Sequence, residues 1–366
     1  SDYVGFRLAF GAIESPVWLG KDGKQVNSVV SVLAGAMDIR RWAGTFKAKL
    51  AFRNDETGNL AFVDYTQGGS VVTEIEDTLN VYHPDISPDG NWVAFCTGLE
   101  GVRGKSSVYV RSLDSIGSGL VKLDVENAAI PRWRVLESGD TVIVYVTDAG
   151  NNKDESVFKQ ASTWQVRFSK GKFGTPEKLF GGAYHGGVSD GNSFAVSGAR
   201  LLRARVAGVD TVWYNGEQAC NASLSKDNSK QTLFLDFASR TGTDFVGKSY
   251  GAHEVAFVAD SAGRLVRYVM APEGYAFDHT EWMQGTNHMF VASLTDANGR
   301  HARIAMVDSY SGKSVVLLEG EEIEATILFT YEHEERGTQY VFFYEEKNPD
   351  EVFCMRYHED GTLEEI

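Results

Sequence analysis

What this chain has little of sets the first bounds. It holds 7 prolines and 3 cysteines in 366 residues. Cys96, Cys220 and Cys354 lie far apart with no CxxC or similar spacing, which excludes a paired-cysteine metal ribbon and a disulfide-dense scaffold. Each sits in or beside an apolar run, the ordinary place for a small buried thiol, and a single disulfide among them stays open. No run of about eighteen apolar residues occurs, so no helix of this region is expected to insert in a membrane. Bases are short relative to acids, 35 against 50, for a net charge of −15. A surface this acidic repels phosphate backbones, so no nucleic acid partner is expected. No signal-peptide pattern precedes the first apolar runs. The expectation is a monomeric domain of a larger chain whose targeting signal lies upstream.

Helical periodicity is also nearly absent, and what replaces it is informative. Hydrophobic residues make up 43% and aromatics 12%, with 38 glycines. Short runs rich in Val, Phe, Tyr, Trp and Thr alternate with turn clusters. Residues 163–168 alternate, with Trp164, Val166 and Phe168 facing one way and Gln165 and Arg167 the other. Residues 142–146 are apolar throughout, as a strand covered on both faces should be. The fold class is all-β.

The runs repeat. HPDISPDGNWVAF at 83–95, then VYVRSLDS and LVKLDV, reads as a four-stranded antiparallel meander with Asp89-Gly90 at its tight turn. Weaker copies run over 130–180, 184–214, 221–270, 281–318 and 325–365, with one more at 38–75 that opens on a strand at 38–42. A meander of this length cannot bury both faces alone, whereas radial stacking in a closed ring covers faces and protects edges. The expectation is a β-propeller of seven four-stranded blades over 28–366. Six is the alternative if one weak unit is an insertion. Residues 28–33 would add to a C-terminal blade as a closing strand, and 1–27 would be the tail and linker of a preceding domain.

His83, Pro84, Ser87, Pro88, Asp89 and Gly90 match the repeat of the TolB-like propeller family, which this region resembles. At the other end, YVGFRLAF at 3–10 is similar to the final strand of formylglycine-generating-enzyme domains. Together with AYHGGVS, ARLLRAR, DTVWYNGEQACNASLS and HTEW, starting at Ala183, Ala199, Asp210 and His279, the chain resembles the C-terminal half of a paralogous family of large surface lipoproteins of fibre-degrading gut bacteria. The resemblance implies extracytoplasmic placement, periplasmic or at the cell surface, with a lipoprotein anchor elsewhere in the chain. It brings no activity.

In a propeller, the loops that deliver the chain to the innermost strands open on one face around the channel mouth, where side chains from distant segments converge. The ligand-binding candidates at those entries are Arg40, Trp42, His83, Arg132, Trp133, His185, Asn221, His279 and Trp282. Indoles offer apolar platforms to sugar faces, and the polar groups satisfy hydroxyls. The competing reading packs the tryptophans between blades and uses the Arg and Asp side chains to satisfy loops.

Glycoside hydrolysis or elimination would need carboxylates across a cleft, for which Asp85, Asp278 and Glu281 are the candidates. His83, His185, His253, His279 and His288 come from separate blades, but no HxH or HExxH spacing supports a metal, and none is expected. DAGNNKDES at 148–156 lacks EF-hand spacing and reads as a surface loop. No cofactor is expected, a structural calcium ion in the channel or a loop being the alternative. No G-x-S-x-G elbow occurs. The function expected is a ligand-binding or scaffold propeller whose partner is a glycan or a protein. A carbohydrate-active enzyme and a docking platform without a small ligand are the alternatives.

Overall fold

The computed structural model describes residues 17–19, 25–27, 30–69, 71–98, 105–114, 116–227, 229–286, 288–321, 323–330, 339–345, 348–357 and 363–365, with backbone alone for 17–19, 25–27 and from 324 onward. The run at 3–10, likened above to the final strand of formylglycine-generating-enzyme domains, lies outside them. The chain divides into two compact units, Ser1–Tyr331 and Glu332–Ile366. The second carries a three-stranded antiparallel sheet of Gln339–Glu345, Asn348–Tyr357 and Leu363–Glu365.

The first unit is a β-propeller. Its first sheet orders Ile323–Thr330, Ala48–Asn54, Asn59–Asp64 and Thr73–Ile75, and its second Tyr82–Ile86, Trp92–Cys96, Val108–Ser112 and Val121–Lys122. The third runs from Ala128–Val135 through Thr141–Thr147 and Ser162–Ser169 to Glu177–Gly181. The fourth uses Gly187–Val188, Phe194–Val206 and Val209–Val212. The run Phe194–Val206 doubles back on itself. Ala207 N donates to Ser193 O at 2.7 Å, which a straight strand of that length, about 40 Å long, forbids. Arg200, at φ 140°, sits near the apex. The fifth set orders Gln218–Leu224, Thr232–Asp236, Val255–Ala259 and Leu265–Met270. It is hydrogen-bonded to the fourth at the apex of the doubled-back strand, where residues 199–201 pair with 218–220, so that the two form one seven-stranded sheet. The sixth orders Ala276–Trp282, Met289–Thr295, His301–Asp308 and Ser314–Glu319.

The apolar core closes the ring. Separate buried clusters join each sheet to the next: Phe62 with Ile86, Val110 with Trp133, Val144 with Tyr184, Phe194 with Phe257, Leu233 with Phe290, and Met289 with Leu50. The last of these joins the sixth sheet to the first. Each sheet therefore buries both faces, and Val142–Val146 is buried along its whole length as its composition requires.

Three segments depart from expectation. The 325–329 run does not open a further meander. It pairs as the inner strand beside Ala48–Asn54, so a C-terminal strand completes the N-terminal sheet. Residues 31–32 pair with 318–319 at the outer edge of the sixth sheet, so the N-terminal segment adds as an outer strand to the last sheet of the ring and not to the 325–365 unit. Finally, the expected strand at 38–42 is a helix, Ala36–Ala43, with Asp38 accepting from Gly35 N at its start and Gly44 in the left-handed conformation at its end. Its cap chemistry and charge placement outweigh the short apolar pattern.

The Ser-Pro-Asp-Gly turn forms as read. Gly90 takes φ 71° and donates to Ser87 O, while Ser87 Oγ accepts from Trp92 N at 2.9 Å.

Candidate functional site

The inner strands share one device. Register shifts occur between Tyr82 and Asp85, Ala129 and Arg132, Cys220 and Ser223, and Asp278 and Glu281. At each bulge one residue takes a positive φ: His83 at 50°, Ile130 at 51°, Asn221 at 52° and His279 at 45°. A bulge re-aims the side chains around it. Here it brings Asp85, Arg132, Ser223 and Glu281 to one level at the hub.

These four meet across the ring. Arg132, on the third sheet, forms an ion pair with Glu281, on the sixth. Glu281 Oε2 also accepts from Ser223 Oγ at 2.5 Å. Asp85, on the second sheet, accepts from Trp133 N at 2.6 Å and lies 3.9 Å from Lys226 Nζ, at the end of the fifth sheet's inner strand. Burial pushes the Glu281 carboxyl up, against the opposing pull of Arg132, Lys226 and Ser223. Asp85 and Glu281 are thus buried and committed to the opposite side of the ring. They do not stand as a free pair of carboxylates facing an open cleft.

Trp133 and Trp282 are each 1% exposed, wedged between consecutive sheets. Trp133 also donates from Nε1 to Asp85 O at 2.9 Å. Neither indole can stack on a ligand, because no face is left bare. Trp42 packs half-buried on the core, and Arg40 lies on the same helix. Ile323 pairs with Asn54 and Thr330 with Ala48, so the first inner strand enters beside Asn54 and leaves beside Ala48. The helix precedes Ala48 and packs on the turn after Asp64. Arg40 and Trp42 therefore sit at the exit end, away from the entry face. His185 is buried, with Nδ1 3.3 Å from Ser197 Oγ and its carbonyl accepting from Arg132 Nε. His83 is buried at its bulge.

Among the described residues, a cavity of about 500 Å³ opens on the exit side among the hairpins of the third, fourth and fifth sheets, walled by Arg132, Arg134, Lys226, Lys230, Asp190 and Gln284 among others. Arg134 is fixed by Ser189 O at 2.7 Å and Asn192 Oδ1 at 2.7 Å, and burial pushes its guanidinium down to about 10 against the pull of Asp190 and Glu177. The full wall carries Arg132, Arg134, Lys226 and Lys230 with Glu137, Asp190 and Asp227, Arg132 being engaged by Glu281 and Lys226 lying 3.9 Å from Asp85.

On the entry face, Asn221 Nδ2 donates to Asp278 Oδ1 at 2.6 Å, and Asp278 Oδ2 lies 3.2 Å from His301 Nε2. Burial pushes the Asp278 carboxyl up, but His279 and His301 outweigh it and hold it well below the usual carboxylate range. Nearby, Cys220 Sγ lies 3.0 Å from His253 Nε2, and burial pushes that imidazole down. Asn221, Asp278 and His279 are thus brought together as expected of entry residues. Cys220, His253 and His301 join them. His301 opens the third strand of its sheet, where no motif spacing marks it. The 148–156 loop does not gather oxygens. Asn152 instead is buried and hydrogen-bonded to both Leu201 N and Leu201 O at 2.8 Å.

No family model matches the chain, and neither does any curated protein. Solved structures similar to it include a protein of unknown function from Bacteroides caccae, at 10% identity and TM-score 0.47, covering 77% of this chain and 98% of that one. Tricorn protease is similar at 14% identity and TM-score 0.45, covering 80% of this chain and 27% of that one. The β-propeller domain of the Trilobed protease from Pyrococcus furiosus is similar at 12% identity and TM-score 0.38, covering 87% and 88%.

Proposed function

We propose that this propeller is a binding module of an extracytoplasmic protein, and that its ligand is an acidic glycan seated in the exit-side cavity. The observation that carries this reading is the cavity itself. Its volume, about 500 Å³, lies in the range of small-ligand sites, and its wall sets basic side chains beside hydroxyl and amide groups. Lys230 supplies charge for a sugar carboxylate, and Ser189, Ser193, Ser225 and Gln284 supply donors and acceptors for hydroxyls. With the tryptophans buried, recognition rests on charge and hydrogen bonds and not on stacking. Placement outside the cytoplasm is supported by the resemblance to surface lipoproteins.

The test is binding to a panel of uronate-containing and neutral polysaccharides. Acidic polymers should bind, more weakly as salt rises, and Lys230→Glu should abolish the interaction while the fold is retained. Equal binding of neutral polymers would overturn the ligand class. Loss of an envelope-protein partner on Lys230→Glu, with no glycan bound, would favour the docking-platform reading instead.

A further inference from the structure

We propose that Asp278, His279 and His301 form a site for one divalent first-row transition ion of the zinc class on the entry face. The three side chains offer ligand atoms that all lie within 4.8 Å of one another. Asp278 Oδ2 is 3.7 Å from His279 Nε2 and 3.2 Å from His301 Nε2. Two ligands held at ~2.0–2.1 Å with tetrahedral angles stand about 3.3 Å apart, so both Asp278 distances lie within a few tenths of an ångström of that value, while the two imidazoles are within 4.8 Å of each other.

Adjacent residues of a regular strand point to opposite faces, and Asp278 with His279 would ordinarily be a poor chelate. The bulge at His279 removes that obstacle by turning both side chains to the same side. His301 reaches them from the third strand of the sheet.

The surroundings orient the ligands as an outer shell does. Asp278 Oδ1 accepts from Asn221 Nδ2 at 2.6 Å and from His279 N at 2.9 Å, which leaves Oδ2 turned toward the imidazoles. His301 Nδ1 lies 3.2 Å from Asp55 Oδ2, and Asp55 is itself ion-paired with Arg53. A carboxylate on the far nitrogen of a ligating histidine is the usual arrangement, since it fixes the tautomer with Nε2 toward the metal. In that tautomer the Nε2 lone pair faces a carboxylate oxygen, and a cation between them removes the repulsion. Two imidazoles and one carboxylate favour a zinc-class ion over calcium, which takes six to eight oxygens. The three side chains are 26%, 24% and 19% exposed, so an ion can enter and keep a water or an exogenous ligand in its remaining position.

The experiment is calorimetric titration of the chelator-stripped protein with Zn²⁺, paired with the absorption spectrum of Co²⁺ in its place. Wild type should bind one equivalent. Asp278→Asn and His279→Ala/His301→Ala should lose it, Asp55→Asn should weaken it by about 10- to 100-fold, and Cys220→Ala should keep it, each variant being checked for folding by circular dichroism. X-ray absorption of the cobalt-loaded wild type gives a readout independent of any variant and should show two imidazoles and no sulfur. The proposal is overturned if wild type takes up no stoichiometric zinc, if the double histidine variant retains the equivalent, or if cobalt shows a thiolate band or sulfur scattering. The residues would then be a bridging imidazolium between two carboxylates, or Cys220 and His253 would be the ligands.

Discussion

Arg132 and Glu281 stand on sheets that face each other across the ring, and their side chains form an ion pair at its centre. With Lys226 approaching Asp85 beside it, the hub is tied by charges from opposite sheets. The channel is thereby divided into an entry mouth and an exit cavity, each with its own set of side chains. Removing one partner leaves the other buried and uncompensated, at a cost of about 3–5 kcal/mol. Glu281→Leu and Arg132→Leu should each lower stability by that order in urea unfolding. The double variant should recover much of the loss. Additive losses would show that the two side chains do not act as a pair.

Trp133→Ala and Trp282→Ala report on the same division. As wedges between sheets, each should lose about 3–5 kcal/mol, read as a lower urea midpoint with no separate effect on ligand affinity in the folded fraction. A near-neutral effect on stability with lost glycan binding would restore them as surface platforms.

Asn152→Ala removes a side chain that holds Leu201 through both backbone groups. Leaving those part-buried groups unmatched costs about 1 kcal/mol. The loss should be local, read as faster proteolysis within 148–160 and faster amide exchange at Leu201. Unchanged exchange at Leu201 would count against the tether.

Alkaline pH tests the tyrosines. Burial raises Tyr65, pushes Tyr145 up to about 12, and raises Tyr184 and Tyr214, whose hydroxyls also donate to Asp210 and Asp236. An unfolded tyrosine ionises near 10. Below that pH both states are neutral and the contribution to stability is complete. As pH climbs from about 10 through the raised folded values, the unfolded chain loses protons first and stability falls. Tyrosinate absorbance should therefore rise in two stages, the second coinciding with loss of the β-sheet signal. Ionisation of all 15 tyrosines near 10 in folded protein would contradict the burial.

Residues such as 142–146, 163–168 and 83–95 made the all-β class, the meander and the Asp-Gly turn legible, because strand burial and turn type are set by side chains within a few positions. The helix at Ala36–Ala43 was missed for a comparable reason: eight residues around one apolar stripe read equally well as a short strand. The entry list captured Asn221, Asp278 and His279, since bulge residues sit where inner strands begin. It misjudged Trp133 and Trp282, whose environment depends on the neighbouring sheet.

Taken alone, the order of residues determined the strands, their turns and the acidic balance of the chain. Which strand closes the ring, which carboxylates are consumed by cross-hub pairs, and which histidine stands beside Asp278 were decided only by the tertiary structure. The physical reason is separation along the chain. Leu50 packs with Met289, Arg132 pairs with Glu281 and Asp55 faces His301. Such partners leave no local pattern, because each contact is formed only once the whole ring has closed.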